Sequence, residues 1–387
     1  MIASIPLAWL QLTKEKVRLL VALAGIGFAD ILMFMQLGFR DALFESAITF
    51  HKNVRGDIFL ISTQSTALIA MKSFSQRRLY QAKAFDGVES VSPVYLGFGI
   101  WKNPENRKTR QLMVIAFNPA DQIFSLPGIG ENLDKVKISD VVLFDSASRE
   151  EFGPVEKLFN SGKPVETEID SRRIRVGGLF KLGASFGADG NVVTSDLNFL
   201  RIFDNRDRGS IDIGVINLKP EANKAQVLAY MKDYYQKSYP DELVLSQDEF
   251  IQFEKKYWET GTSIGFVFFL GTTMGFIVGT VIVYQILYTD VADHLAEYAT
   301  LKAMGYRDLY LLAVVFQEAI ILSILGFLPG YGVATVLYTL TLNATSLPMI
   351  MTMARAITVL ILTVIMCTIS GSIAVRKLQG ADPADIF

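Results

Sequence analysis

The sequence predicts a membrane protein of mixed class, with four transmembrane helices and a large periplasmic α+β domain inserted between the first and the second. Its 387 residues are 51% hydrophobic with a mean hydropathy of +0.33, which is high for a water-soluble protein. Four long apolar stretches stand apart from residues 40–261, which mix 29 Lys and Arg with 30 Asp and Glu residues. Such a mixture is typical of a solvated surface, so this segment is expected to fold outside the membrane.

The first span is the apolar stretch 17–39, which is long enough to cross a hydrocarbon core of about 30 Å. Asp30 opposes insertion by roughly 3 kcal/mol, but twelve Leu, Ile, Val and Phe residues each favour it by roughly 0.3 to 0.6 kcal/mol. A cleaved signal peptide is the alternative. Because the apolar region is too long for one and no small-residue cleavage site follows Phe39, we expect an uncleaved anchor.

The second span carries no charged residue, and the third carries only Glu318. The third span, residues 309–342, would form a helix of about 51 Å, so it should project from the membrane or bend near Pro329. Lys and Arg cluster at the ends of the spans that are then cytoplasmic, at Lys14, Lys16, Arg18, Lys302, Arg307, Arg376 and Lys377. Both termini are therefore predicted inside a multi-pass protein of the inner (plasma) membrane.

The predicted segments are a cytoplasmic N-terminal segment at 1–16, a first span at 17–39, a periplasmic domain at 40–261, a second span at 262–288, a cytoplasmic coupling segment at 289–308, a third span at 309–342, a periplasmic loop at 343–351, a fourth span at 352–375 and a cytoplasmic tail at 376–387.

The periplasmic domain is expected to contain strands and a helix. Because it is longer than a typical domain, its length is compatible with two subdomains. Runs rich in β-branched and aromatic residues predict strands at 57–62, 88–101, 111–117 and 211–218, with a strand pair in 172–182 and a helix over 221–235. Apolar residues at helical spacing also predict a stalk helix at each end of the domain, over about 40–54 and 248–261.

The sequence gives no sign of an enzyme or a cofactor site. No phosphate-binding G-x-x-x-x-G-K-[ST] motif is present, since Gly162-Lys163 is followed by Pro164. His51 and His294 fall on opposite sides of the membrane in the predicted topology, and Cys367 is the one cysteine. The net charge of −2 does not suggest nucleic-acid binding. We expect no bound cofactor and no catalytic or metal-binding residues.

Two sets of residues inside the spans have uncommon chemistry. Gly271, Gly275 and Gly279 are four residues apart in the second span, a spacing that lets helices approach closely, either between two protomers or within one chain. Asp30 and Glu318 lie about 18 and 14 Å from the cytoplasmic ends of their spans. A functional role is the default for intramembrane carboxyl groups. Because no basic partner lies mid-span, we favour a protonated, hydrogen-bonded structural role over a proton pathway.

The cytoplasmic coupling segment contains the motif Glu297-Tyr-Ala-Thr-Leu-Lys-Ala-Met-Gly305, which should form a short helix stopped by Gly305 at its C′ position. This motif resembles the E-x-A-x-L-K-A-x-G segment of the FtsX/MacB superfamily of ABC permeases, and the order of spans and outer domain is similar too. The resemblance implies a MacB-like fold and ATPase-coupling roles for Glu297, Thr300, Leu301, Lys302, Met304, Gly305, Tyr306 and Arg307. An ordinary amphipathic loop helix is the alternative interpretation.

Residues 24–44, AGIGFADILMFMQLGFRDALF, narrow the resemblance to DevC-type permeases, the membrane subunits of DevBCA-type tripartite exporters. This resemblance implies work with a DevA-like ABC ATPase, a DevB-like periplasmic adaptor and, through the adaptor, a TolC-like outer-membrane protein. We also expect the chain to form a homodimer. ATP would be used by the partner ATPase, and the cargo would be a glycolipid or another amphiphile exported from the periplasmic side, with membrane lipid as a further partner. An FtsX-like signal transducer that regulates a periplasmic hydrolase without transport is the alternative.

Overall fold

The structure is a computed structural model that describes residues 7–306, 308–345 and 347–379. Residues 1–6, Arg307 and residues 380–387, which belong to the predicted N-terminal segment, coupling segment and tail, lie outside the described part. Contacts divide the chain into two units. The membrane unit is formed from Met1–Ala42, Ser263–Thr345 and Met349–Phe387, and the outer unit is formed chiefly from Leu43–Thr262.

The α-helices of the described residues follow one another in the order α1 (Leu7–Lys14), α2 (Lys16–Asn53), α3 (Gln76–Gln81), α4 (Leu133–Val136), α5 (Val155–Asn160), α6 (Asp196–Ile202), α7 (Lys224–Ser238), α8 (Gln247–Lys256), α9 (Ser263–Asp293), α10 (Leu295–Ala303), α11 (Asp308–Thr345) and α12 (Met353–Gln379). Within these residues, four helices are long and apolar enough to cross a membrane, namely α2, α9, α11 and α12. The large domain lies between the first and second of them, so the predicted fold class is confirmed.

The helix α2 is continuous from Lys16 to Asn53, so the segment predicted as the first stalk is the outward continuation of the first span. The second stalk is different. Here α8 ends at Lys256, Tyr257–Gly261 form a π-helical turn, and Thr262 has an extended backbone with φ −125° and ψ 161°. The helix before the second span is therefore interrupted one residue before α9 begins. Pro329, in contrast, lies inside α11, which is helical on both sides of it.

The core of the membrane unit forms where α2, α9, α11 and α12 pack together. Small residues allow this packing: a Cβ atom added at Gly330 of α11 would lie 3.1 Å from the carbonyl oxygen of Gly27 in α2. Close backbone approach of this kind maximises van der Waals contact between helices in a lipid environment. The surrounding buried residues are Ala22, Ile26, Ala29, Val283, Leu287, Ala319, Leu322, Met366, Cys367 and Ala374.

The strands of the described residues are β1 (Ile58–Ser62), β2 (Phe74–Ser75), β3 (Val88–Lys102), β4 (Thr109–Phe117), β5 (Val141–Asp145), β6 (Glu166–Ile169), β7 (Arg172–Phe180), β8 (Asn191–Ser195), β9 (Ser210–Ile211), β10 (Ile213–Leu218) and β11 (Glu242–Ser246). Nine of these described strands form one mixed sheet in the order β11-β1-β10-β3-β4-β8-β5-β7-β6. Trp101 of β3 also pairs with Ile169 of β6, which closes the six strands from β3 to β6 into a ring.

This sheet differs in two ways from the sequence prediction. The strand pair predicted within 172–182 is wrong: Arg172–Phe180 is one strand, and its hairpin partner is β6 at Glu166–Ile169. The second difference is that the outer unit is not divided into two subdomains: its nine-stranded sheet is continuous and has an apolar core on each face. Leu112 and Val114 enter one core, whereas Met113 and Ile115 enter the other, because successive side chains of a strand point to opposite faces.

Candidate functional site

The coupling segment folds as the short helix α10, and its C-terminal end has the geometry that the sequence predicts. Gly305 has a positive φ of 93°, which glycine adopts without a steric penalty. The amide of Tyr306 donates to the carbonyl of Leu301 at 3.1 Å, the long-range hydrogen bond of a Schellman cap. This cap ends α10 abruptly and places Met304, Gly305 and Tyr306 at an exposed corner.

The predicted coupling residues divide into an exposed group and a packed one. Met304 is 64% exposed and Tyr306 46% exposed, and Thr300 is exposed as well. Glu297 is also exposed, and its carboxylate lies 3.8 Å from the ammonium group of Lys14. Leu301 instead packs against an apolar cluster of Val291, Val315 and Val375. The side chain of Lys302 and the whole of Arg307 lie outside the described part.

An ionic cluster joins the start of α2 to the end of α9. The guanidinium group of Arg18 contacts Glu15 at 3.0 Å and Asp290 at 3.6 Å, and it donates a hydrogen bond to Asp293. The carboxylate of Asp290 also lies 3.7 Å from Nδ1 of His294, in the turn between α9 and α10. Arg18 therefore links the first span to the residues immediately before the coupling helix, a role that the sequence did not suggest.

Glu318 is fully buried in α11, and neither of its oxygens has a hydrogen-bond donor among the described residues. Its carboxyl group lies against that of Asp290, which is 5% exposed. Two adjacent buried carboxyl groups repel each other when both are ionised, but one proton can form a hydrogen bond between them. The predicted intramembrane residue Glu318 thus faces the ionic cluster rather than standing alone in the bilayer.

Asp30 is fully buried in α2 and contacts the fourth span. Its Oδ1 accepts a hydrogen bond of 2.5 Å from the Thr363 hydroxyl in α12, whereas Oδ2 has no partner among the described residues. A Cβ atom at Gly330 of α11 would lie 2.9 Å from the Cβ of Asp30, so three helices meet at this carboxyl group. Thr363 is the polar partner that sequence inspection missed, because threonine is unremarkable in an apolar span.

All three glycines of the second span face other helices of the same chain. An added Cβ at Gly271 would lie 2.5 Å from the side-chain amide carbon of Gln36 in α2, and one at Gly275 would lie 3.4 Å from Cγ of Met33. At Gly279 the neighbours are Ala29 of α2, at 2.7 Å, and the sulfur of Met366 in α12. These contacts support the alternative in which the three glycines pack within one chain.

The comparison with protein families concerns the C-terminal part of the chain. Residues 268–383 match the family model described as FtsX-like permease C-terminal. This FtsX-like segment contains the coupling helix α10, the third and fourth spans and most of the second. No curated protein matches the sequence.

Two solved structures are similar to part of the chain. The periplasmic region of MacB from Actinobacillus actinomycetemcomitans is 12% identical, with a TM-score of 0.35, and the match covers 52% of this chain and 92% of that one. The extracellular domain of the noncanonic ABC-type transporter YknZ from Gram-positive bacteria is 14% identical, with a TM-score of 0.33, and the match covers 49% of this chain and 99% of that one.

A further polar site joins the FtsX-like segment to the outer end of the first span. Arg355 of α12 is 7% exposed and donates to the carboxylate of Asp41 in α2 at 2.8 and 3.1 Å and to the carbonyl of Ile350 at 2.9 Å. Arg40 donates to the other oxygen of Asp41, at 2.8 and 2.9 Å. The Tyr338 ring lies 5.3 Å from the Arg355 guanidinium carbon, and its hydroxyl donates to the Phe34 carbonyl.

The outer unit has a buried carboxyl group of its own where α8 approaches the end of α2. Glu254 is 1% exposed and accepts hydrogen bonds from the Leu68 amide at 2.7 Å and from the Trp258 indole at 2.8 Å. Nε2 of the fully buried His51 lies 3.6 Å from the same carboxyl group. Burial raises the pKa of Glu254 to about 7, although its two hydrogen bonds oppose the increase.

Proposed function

We propose that this chain is the permease subunit of an ABC-type export machine. The observation that carries the proposal is the match of residues 268–383 to the FtsX-like permease model, because it covers three spans and the coupling helix together. The order of one span, a large outer domain and three more spans agrees with it. In this proposal the chain is a homodimer, and a separate DevA-like ATPase binds and hydrolyses the ATP.

The exposed corner of α10 is the surface proposed to receive the ATPase. Two exposed apolar side chains, Met304 and Tyr306, lie there together with the charged side chain of Glu297. Apolar anchors surrounded by polar groups are typical of protein interfaces. The inward packing of Leu301 would transmit a displacement of the helix to the inner ends of the spans, because packed side chains resist separation.

The first span provides the proposed route from the cytoplasm to the outer domain. Arg18 binds carboxylates at the end of α9, so movement there acts on the start of α2. A continuous helix of 38 residues then leads to Asn53, about 57 Å away at 1.5 Å per residue. The outer domain would respond to this movement by pushing cargo through a DevB-like adaptor towards a TolC-like duct.

Copurification tests the proposed ATPase surface. The full-length chain, tagged and expressed in its source cells, would be purified in mild detergent as the parent, Met304→Arg and Leu197→Arg. Leu197 is a matched control because it is an apolar side chain, 70% exposed, in the outer unit. An ABC ATPase should accompany the parent and Leu197→Arg and be lost from Met304→Arg. If Met304→Arg and a deletion of residues 297–305 both retain it in the parent ratio, the proposed surface is wrong.

The cargo comes from the resemblance to DevC-type permeases and is proposed to be a glycolipid or another amphiphile. The same purification separates an exporter from an FtsX-like signal transducer. An exporter should bring down an adaptor and an outer-membrane duct, and its loss should change the lipids of the outer membrane. A transducer should bring down a periplasmic hydrolase or its activator and leave those lipids unchanged.

A further inference from the structure

Glu318 is a fully buried carboxyl group of α11 that has no positive partner among the described residues. None of those residues donates a hydrogen bond to either of its oxygens. Its carboxyl group instead lies against that of Asp290 in α9, a residue that is 5% exposed. An isolated ionised carboxyl group in such a place is strongly unfavourable, so a bound proton is expected there.

The ionisable side chains around this contact are mainly acidic. On the helices packed there, they are Glu15 just before α2, Arg18 in α2, Asp290, Asp293 and His294 at the end of α9, and Cys367 in α12. Lys14, at the end of α1, is 70% exposed and lies 3.8 Å from Glu297 instead. The single guanidinium group of Arg18 thus balances three carboxylates before Glu318 is counted. A proton on Glu318 avoids a fourth negative charge and provides a hydrogen bond to Asp290.

A small cavity gives this acidic pair a route to water at the end of the bundle where α2 begins. The cavity has a volume of about 10 Å³, and its lining includes Glu15, Arg18, Asp290 and Leu322, which lies one helical turn after Glu318. A space of this size holds about one water molecule when two or more polar groups line it. The Glu15 side chain is 43% exposed, so polar groups continue from solvent to Asp290. A proton on Glu318 can therefore exchange with solvent through Asp290.

The acidic pair lies on the two helices that α10 connects. Asp290 belongs to α9, which precedes α10, and Glu318 belongs to α11, which follows it. While the proton is bound, it joins α9 to α11 and leaves Asp290 in contact with Arg18 of α2. When the proton is lost, two carboxylates repel each other across the α9–α11 contact, because both lie in surroundings of low dielectric constant. The protonation state thus acts on the helices that flank α10.

We propose that Glu318 and Asp290 form an exchangeable proton-binding site that controls the contact between α9 and α11. In the bound state Glu318 carries the proton and donates a hydrogen bond to Asp290. On release the proton passes to Asp290 and from there to water, and both groups are then carboxylates. This assigns Glu318 a switching role in place of the fixed structural role expected from the sequence. The proposal rests on contacts within the membrane unit and is independent of the partner ATPase and of the cargo.

Infrared difference spectroscopy of the full chain in phosphatidylcholine nanodiscs tests where the proton lies. The parent would be compared at neutral pH with Glu318→Gln and with the control Glu131→Gln, which changes an exposed glutamate of the outer unit. The parent should show the carbonyl band of a protonated carboxylic acid that Glu318→Gln lacks. Glu131→Gln should lose carboxylate bands alone, because a solvated glutamate is ionised at this pH. Asp30 and Glu254 are present in every sample, so their bands cancel on subtraction.

The variant Asp290→Asn tests the pairing. In this variant the acid band of Glu318 should remain and move to higher frequency, because an amide carbonyl is a weaker acceptor than a carboxylate. If Glu318→Gln loses carboxylate bands and no acid band, Glu318 is ionised in the parent and the proposal is overturned. An acid band that Asp290→Asn leaves unshifted would also overturn it, and an acid band that Asp290→Asn removes would place the proton on the wrong residue.

A pH series tests whether the proton is exchangeable. The folded chain holds a proton that glutamate in the unfolded chain has lost, so the parent should lose thermal stability relative to Glu318→Gln as the pH rises. This relative loss should stop at the pH where the acid band has become a carboxylate band. An acid band that persists until the chain unfolds would indicate a fixed structural proton and would overturn the switch. Because no ATPase is present, this experiment and the copurification of an ATPase can fail separately.

Discussion

The ion pair between Asp41 and Arg355 makes the stability of the membrane unit depend on which partner is removed. Arg355 is 7% exposed, and Asp41 is the carboxylate that it contacts, with Arg40 on the other oxygen. Arg355→Gln leaves Asp41 balanced by Arg40. Asp41→Asn instead leaves two guanidinium groups around a neutral amide, one of them buried.

The expected magnitudes follow from this difference. Removing one partner of a fully buried pair costs about 3 to 5 kcal/mol, and the 37% exposure of the Asp41 side chain reduces this to about 2 to 3 kcal/mol for Asp41→Asn. Arg355→Gln should cost about 1 to 2 kcal/mol, because it loses hydrogen bonds and the contact with the Tyr338 ring but strands no charge. Arg40→Gln should cost less than about 1 kcal/mol, since Arg40 is 41% exposed.

Thermal unfolding of the detergent-purified chain measures these differences, with the surviving monodisperse fraction followed by size-exclusion chromatography. The unfolding midpoint should fall by about 2 to 4 °C for each kcal/mol in a unit of this size. The double variant Asp41→Asn/Arg355→Gln is the decisive sample. It should be more stable than Asp41→Asn alone, because the second substitution removes the buried charge that the first one strands.

A double variant as unstable as the sum of the two single variants would refute the proposed pairing. Additive losses would mean that the two side chains do not act on each other and that Arg355 is stabilised by Ile350 and Tyr338 alone. An equal cost for Arg40→Gln and Asp41→Asn would also refute it, because the exposed arginine would then be the main partner of Asp41.

Two further predictions concern the outer unit and the glycines of the second span. The raised pKa of Glu254 contributes stability that is complete below about pH 4.5 and is lost as the pH rises through about 7. The parent's free energy of unfolding should therefore fall over that window, and Glu254→Gln should reduce this fall by up to about 3 kcal/mol. Thermal unfolding at several pH values measures the fall, and an equal fall in parent and variant would contradict the assignment. Gly271→Ala should be tolerated, because the flexible end of the Gln36 side chain can turn away. Gly279→Ala should lower the free energy of unfolding by about 1 to 3 kcal/mol, because the added methyl group would meet Ala29 and Met366. Equal unfolding midpoints for the two variants would contradict this packing.

The membrane part of the fold could be predicted because its signal is local. Each span is a long apolar run, and hydrocarbon selects helices in which every backbone polar group is bonded within the segment. The end of α10 was predictable for the same reason, since Gly305 has a positive φ that depends on glycine itself. The interruption at Thr262 had no comparable signal, because threonine is compatible with both helical and extended backbone.

The outer domain and the polar contacts between helices were harder to predict because they depend on distant residues. The strands Val141–Asp145 and Asn191–Ser195 are buried at every position, so they lack the alternation that marks a half-exposed strand. Asp41 and Arg355 are 314 positions apart, and Asp30 and Thr363 are 333 apart. Hydropathy identifies the helices that hold these side chains but not the faces on which they meet.

The contacts of α2 limit how it can move in the proposed mechanism. Within the membrane unit it is joined to α9 by Arg18 near its first residue, and to α12 by Asp30 and Thr363 and again by Asp41 and Arg355. Asp30 and Asp41 are eleven residues apart, which is about 16 Å along the helix. Sliding α2 along α12 would break two buried polar contacts at once, whereas tilting the helices together would keep both. A displacement that begins at α10 is therefore expected to tilt α2 as part of the bundle, and the continuous helix would carry that tilt on to Asn53.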